Sequence, residues 1–349
     1  MHVTCVDHEF SQHGKYAGYK LLSHFVANRH ISKSLWFHKL LLPIPDKILF
    51  GFRPFHANWY DRNAFSLEFE LLIEMIRSSS SVFHFLYGEH STRYLGLLNR
   101  IFGNKNRIVA TYHQLPSFFE RRIEQFSHVK YLDAVILVGS NQRAVFEKIA
   151  TSDKIHVIPH GVDTSFFVPG DELPGERKKY VQCITVGSNY RDFDTHIQVI
   201  QYLNGIVGSD IRFVVVGSKQ YASYYENISN VKYLHGVSDN EMRRLYQDSD
   251  VLLLPLLDAT ACNALLEGMS CGLPIIITDV GGVRDYVDES CAILTPLQDA
   301  MEMSMELTQL LLDKQKRINI GRNARNRAVN WLDWKVVASD IQKIYLDLY

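Results

Sequence analysis

With 349 residues the chain is long enough for two domains of ordinary size, each with its own core. A composition 46% hydrophobic and 21% charged, with a formal net charge of −1, describes a globular protein and gives no reason to expect a nucleic-acid partner. Five cysteines without a CxxC pair read as reduced, buried thiols, and no signal peptide, membrane-length apolar run or internal repeat is recognised, so the expectation is a cytoplasmic protein.

Residues 3–6 read as a short apolar strand, followed by a loop bearing Gly14 and Gly18 and a helical pattern over 20–28. A strand, a glycine-bearing loop and a helix make a first nucleotide-fold unit; the glycines either line the helix mouth or form a plain tight turn. From 13 to 54 the charge is lopsided: Lys15, Lys20, Arg29, Lys33, Lys39, Lys47 and Arg53 face only Asp46, with Tyr16, Tyr19, Phe25, Trp36, Phe37, Phe50 and Phe52 interleaved. Such a segment either rests on anionic lipid headgroups or is an ordinary solvated face over core aromatics. Further strands are expected over 47–52, 82–86, 107–112, 134–138 and 156–158. His113 then falls at the carboxyl edge of one strand, as a site residue or a structural histidine, and Tyr87-Gly-Glu89-His90 closes its neighbour as a second candidate for substrate contact.

The Pro-, Gly- and charge-rich run 168–179 predicts a linker, which divides a domain over 1–167 from one over 180–335. A strand over 180–186 ends in Gly187-Ser188-Asn-Tyr-Arg191, where Arg191 offers a cation for a leaving diphosphate. Lys219, after a strand over 212–217, is either a second cation or a surface lysine. Asp192-Phe-Asp194 spells the DxD of metal-diphosphate sites, a three-residue match common by chance. No His, Cys and carboxylate cluster has metal-ligand spacing, so neither a metal nor a cofactor is expected.

Residues 251–286 organise the rest. Two buried parallel strands, 251–255 and 274–278, flank a loop and a short helix with Asn263 as its N-cap, Gly272 past its end and Pro274 forbidding continuation. Leu266 stands where a capping box needs Glu or Gln, which leaves Glu267 without a capping role. Its carboxylate either grips ribose hydroxyls, with the amides of Asn263, Ala264 and Leu265 on phosphates, or merely favours a helix start. Asp279-Val-Gly-Gly-Val supplies a second loop at the next strand end.

The run CNALLEGMSCGLPIIITDVGG resembles the donor-binding segment of the family 4 retaining glycosyltransferases of the GT-B fold. Val157-Ile-Pro-His-Gly-Val-Asp163, followed by Phe167-Val-Pro169, is similar to the segment that family carries before its interdomain linker. The resemblance implies an α/β architecture of two doubly wound Rossmann-like domains facing across a cleft, with the last helix, 336–348, returning to the first. It implies hexosyl transfer with retention, from a nucleotide-diphosphate sugar to an acceptor hydroxyl; the absence of a metal-ligand cluster makes that transfer metal-independent, and the basic aromatic segment over 13–54 leads to the expectation of a glycan or lipid-linked acceptor. The resemblance places the donor on Glu267, Asn263, Ala264, Leu265, Arg191, Gly187 and Ser188, with Lys219 standing in for a Lys that the family carries a few residues from its Arg and this loop lacks; it puts His113 near the sugar and assigns Gly14 and Gly18 to an acceptor or phosphate loop. One departure stands out: the family's Glu-x7-Glu has Ala259 in its first position here, with Asp258 one residue away as a partial replacement. That departure keeps open a catalytically silent sugar- or partner-binding homologue, and the fold alone keeps open a nucleotide-sugar epimerase. A dinucleotide oxidoreductase is disfavoured, because no GxGxxG follows a strand.

Overall fold

The computed structural model describes residues 1–10, 14–43, 59–78, 80–103, 105–170, 180–206 and 210–349. The expected strand over 47–52, residue 13 and residues 44–54 of the basic segment, and residues 171–179 of the linker lie outside the described residues.

The chain divides into two compact units: Met1–His13 with Tyr19–His160 and Val337–Tyr349, and Gly14–Gly18 with Gly161–Val336. The first holds a parallel six-stranded sheet, ordered β2-β1-β3-β4-β5-β6. Its strands are β1 (His2–Val6), β2 (Arg29–Ile31), β3 (Ser81–Phe85), β4 (Arg107–Tyr112), β5 (Ala134–Leu137) and β6 (Ile155–Val157). The second holds another, ordered β12-β11-β10-β7-β8-β9. These are β7 (Val181–Val186), β8 (Ile211–Val216), β9 (Val231–Leu234), β10 (Val251–Leu254), β11 (Ile275–Thr278) and β12 (Ile293–Thr295).

The continuous apolar runs follow from two-sided burial. In β10, Leu252 and Leu254 enter one core with Ala264, Leu265 and Met269 of the Asn263–Ser270 helix. Val251 and Leu253 point the other way, into a core with Val199 and Leu203 of the Phe193–Ile206 helix and Leu307 of the Ala300–Leu312 helix. Parallel register aligns Leu252 with Ile275 and Leu254 with Ile277, so the strands end side by side and their loops share one edge.

Three expectations change. The helix over 20–28 is instead a 3-10 turn, Tyr19–Leu22, then one α-turn, Ser23–Val26; the chain turns extended at Ala27 so that Arg29–Ile31 can pair with β1, a strand the sequence pattern did not signal. The unit boundary falls at Gly161 rather than at 167, because Val162 bridges Asp333 and Phe166 and Phe167 enter the core of the second unit. Asn263 is the first residue of its helix, and the cap position is taken by Cys262, extended at φ −128°, ψ 103°, with no side-chain cap bond.

The Trp334–Asp347 helix contributes its residues from Val337 onward to the first unit. There the Tyr345 hydroxyl lies 2.5 Å from His84 Nδ1, and His84 Nε2 lies 2.7 Å from Thr111 Oγ1. Burial first, then the nearby His113, lowers the His84 pKa to about 3, so this core histidine is neutral.

Candidate active site

The Asn263–Ser270 helix starts without a side-chain cap, and the N–H groups of Asn263, Ala264 and Leu265 have no hydrogen-bond partner among the described residues. Open amides at a helix start carry partial positive charge toward an anion. Arg191 is brought to this spot. Its backbone bridges Leu256 just past β10, and its Nη2 reaches the Sγ of Cys262, one residue before the helix, at 3.5 Å. The guanidinium is anchored on its own loop, donating to the Val186 carbonyl from Nε at 2.8 Å and Nη2 at 2.6 Å, and to the Asn189 carbonyl at 3.1 Å. Gly187 makes that fold possible: at φ +97° it sits where L residues are strained, and a Cβ there would lie 2.5 Å from Nη2 of Arg191.

Glu267, one turn into the helix, is 8% exposed. One carboxylate oxygen accepts the Tyr246 hydroxyl at 2.9 Å, and the other has no hydrogen-bond partner among the described residues. Burial pushes its pKa up to about 8; Asp239 adds to the rise and the Tyr246 hydrogen bond opposes it. Thus the side chain expected at an open mouth instead backs onto the Asp239–Gln247 helix through Tyr246, which is fully buried. Sequence pattern did not single out Tyr246, because an aromatic on an amphipathic helix reads as core.

The other expected donor residues surround this centre unevenly. Ser188 Oγ accepts the Ser218 N–H at 2.7 Å and so ties the loops after β7 and β8 together. Lys219 opens the Lys219–Tyr225 turn, is exposed and forms no ion pair among the described residues. Asp258 Oδ1 accepts the N–H of Ala259 at 2.8 Å, and the carbonyl of the buried Ala259 accepts the Gly282 N–H at 2.9 Å. That seats the second glycine loop on residues 258–259. Asp192 is structural: its carboxylate accepts the Thr195 N–H at 3.0 Å and hydroxyl at 2.7 Å, which starts the Phe193–Ile206 helix. Among the described residues no group of three His, Cys, Asp or Glu is arranged to hold a metal.

Gly14 and Gly18 bound a stretch that belongs to the second unit. Asp239 accepts the N–H groups of Lys15 at 2.6 Å and Tyr16 at 3.1 Å, and a Cβ at Gly14 would collide with its Oδ1 at 1.8 Å. Tyr16 stacks on Phe166 with centroids 3.6 Å apart. Gly18 has a left-handed φ of +87°.

His113 lies in the first unit, just past β4 and half-buried. Its N–H donates to Glu89 Oε1 at 3.2 Å, and its ring is boxed by Tyr19 and Tyr87 at 4.8 and 4.6 Å. Burial would raise the Glu89 pKa, but the hydrogen bond and charge of His113, with His90, hold it below the usual carboxylate value.

Residues 169–327 match the family model described as glycosyl transferases group 1. That match covers less than half of the chain, and the fold of the whole is GT-B. Over 66% of its length this GT-B chain is 24% identical to a D-inositol 3-phosphate glycosyltransferase of Stackebrandtia nassauensis, and over 55% it is 25% identical to an MMP alpha-(1->4)-mannosyltransferase of Mycolicibacterium hassiacum. Those alignments cover 58% and 48% of the relatives, so it spans only about half to three-fifths of the curated proteins it matches. Its fold is that of sucrose-phosphate synthase from Thermosynechococcus elongatus, with a TM-score of 0.73 at 16% identity over 100% of this chain and 99% of that one. Anabaena HepE in complex with UDP gives 0.72 at 14% identity over 99% of this chain and 100% of its own. No helix among the described residues of the GT-B chain is long and apolar enough to cross a membrane.

Proposed function

We propose that the chain transfers a hexose from a nucleotide-diphosphate sugar to a hydroxyl of a glycan or lipid-linked acceptor, with retention of configuration and without a metal ion. The observation that carries this reading is the convergence of Arg191 with the open amides of Asn263, Ala264 and Leu265, one turn from Glu267. Fixed N–H groups and a guanidinium anchored by three carbonyl contacts stabilise charge on a departing diphosphate without reorganising during the reaction. The free oxygen of Glu267 takes a ribose hydroxyl, and His113 meets a hydroxyl of the sugar substrate. The two curated relatives named above are a glycosyltransferase and a mannosyltransferase, which supports the reaction class, and HepE was solved with UDP, which makes uridine diphosphate the first nucleotide to try. Such catalysis rests on positioning and electrostatics.

The test is turnover with a panel of nucleotide sugars and acceptors. Nucleoside diphosphate released only when acceptor is present, with the anomeric configuration of the donor kept in the product by NMR, supports the reading. Release without acceptor, or epimerised donor, overturns it.

One observation favours a second reading, a catalytically silent binding homologue. Ala259 is buried beneath the 279–282 loop, and no carboxylate stands at that position to hold a donor sugar hydroxyl. Tight nucleotide-sugar binding with no transfer to any acceptor is what that homologue would show.

A further inference from the structure

At the carboxyl edge of the first sheet, packing leaves a group of polar atoms unclaimed. Glu89 Oε2 and both ring nitrogens of His113 are buried and have no hydrogen-bond partner among the described residues. Native interiors pair nearly all such atoms, so several orphans in one place mark a spot built for a polar ligand rather than for stability. Parallel pairing of β3 with β4 creates the juxtaposition: Glu89 sits on the Gly88–Ser91 turn past one strand and His113 directly past the other. Besides accepting the His113 N–H, Glu89 Oε1 lies 3.7 Å from Nδ1 of the same residue. Tyr19, Tyr87 and His160 pack around the imidazole and restrict its plane. No Lys or Arg forms an ion pair with Glu89 among the described residues, so the His113 imidazole is the side chain placed to partner it.

We infer that Glu89 is a positioning residue for His113: it holds the imidazole with the Nδ1 proton toward the carboxylate and leaves Nε2 to meet a hydroxyl of the sugar substrate. A ring nitrogen's role is set by the bond its partner nitrogen makes, and the carboxylate makes that choice here. At 3.7 Å the Nδ1 contact is longer than a hydrogen bond, as expected of a catalytic pair that tightens when substrate engages the other nitrogen. The inference rests on the transferase reading only for the identity of the hydroxyl; the pairing itself is a property of the first unit.

The experiment compares Glu89→Gln, Glu89→Asp, His113→Ala and the Glu89→Gln/His113→Ala double variant by steady-state kinetics, and reads the ring ¹⁵N shifts of His113 in the wild type and in Glu89→Gln. The expected result is a fall in kcat of about tenfold or more in Glu89→Gln with donor KM within about twofold, partial recovery in Glu89→Asp, and no further loss in the double variant beyond His113→Ala. Wild-type kcat in Glu89→Gln, or losses that multiply in the double variant, overturns the inference. The ring shifts decide independently of turnover. An Nδ1–H tautomer in the wild type that becomes mixed in Glu89→Gln supports it, and an Nε2–H tautomer unchanged by the substitution overturns it. If no transfer occurs with any acceptor, the transferase reading fails and the ring shifts alone decide the role of Glu89.

Discussion

The Tyr246 hydroxyl donates to Glu267 Oε2 at 2.9 Å between two helices of the second unit, where both side chains are buried. A carboxyl group buried there prefers its proton, and that preference makes stability depend on pH.

Burial lifts the folded-state pKa of Glu267 to about 8, above the ordinary glutamate value of 4.5. Between those values the native chain binds more protons than the unfolded chain, so the contribution of this group is fully present below about pH 4.5 and is lost as pH rises through about 8. Glu267→Gln removes the titration. Chemical denaturation at a series of pH values is expected to show wild-type stability falling relative to Glu267→Gln across that window, and parallel curves would contradict the shift.

Tyr246→Phe removes the hydroxyl while keeping the ring in its core. It leaves a buried carboxyl oxygen without its donor, at a cost of about 1–3 kcal/mol in urea unfolding. Nucleoside diphosphate affinity should fall with it, because the carboxyl group loses the contact that orients it. A change in neither quantity would show that the bond is incidental.

Gly187→Ala tests the loop that anchors Arg191. A side chain at φ +97° is strained, and its Cβ would displace Nη2 from 2.5 Å away. The expected cost is about 1–3 kcal/mol in stability. A matching drop in nucleoside diphosphate affinity by calorimetry is expected, with Arg191→Ala losing affinity while the loop itself is spared strain. Unchanged affinity in both variants would remove Arg191 from the site.

The basic, aromatic stretch near the N terminus makes a separate prediction. Among the described residues Leu35, Trp36, Leu40 and Leu42 are exposed at 69, 46, 61 and 61%, an apolar group beside Lys33 and Lys39. Flotation with liposomes is expected to show binding to anionic vesicles, weaker in Trp36→Ala and in raised salt. Equal recovery with neutral vesicles would contradict a peripheral membrane contact.

How much of this could be read from the chain depended on what each signal encodes. Runs such as Val251–Leu254 and Ile275–Thr278 announced themselves, because strands buried on both faces must be apolar throughout. Glycine and proline after the Asn263–Ser270 helix fixed its end well; its start was misplaced by one residue, since Asn263 has the chemistry of a cap but Cys262 takes the extended conformation that a cap requires. The β2 strand, Arg29–Ile31, went unseen because three mixed residues at a sheet edge carry no periodicity. In the site, Arg191 and the open helix start were legible from their loop and helix context. The nearness of Glu89 to His113 was legible too, from two neighbouring strand ends, but Tyr246 beside Glu267 and Asp239 beneath the Gly14 loop were not, because these pairings join residues 21 and 224 positions apart that only the fold brings together.

A helix that receives a nucleoside diphosphate at Asn263, with Glu267 on the ribose, has a direct thermodynamic signature in titration calorimetry of the wild type and Glu267→Ala against UDP and GDP. The expected result is saturable one-to-one binding of one of these nucleotides and a dissociation constant raised about tenfold or more in Glu267→Ala, about 1.4 kcal/mol. The same dissociation constant in both proteins, or no binding of either nucleotide to the wild type, would contradict it.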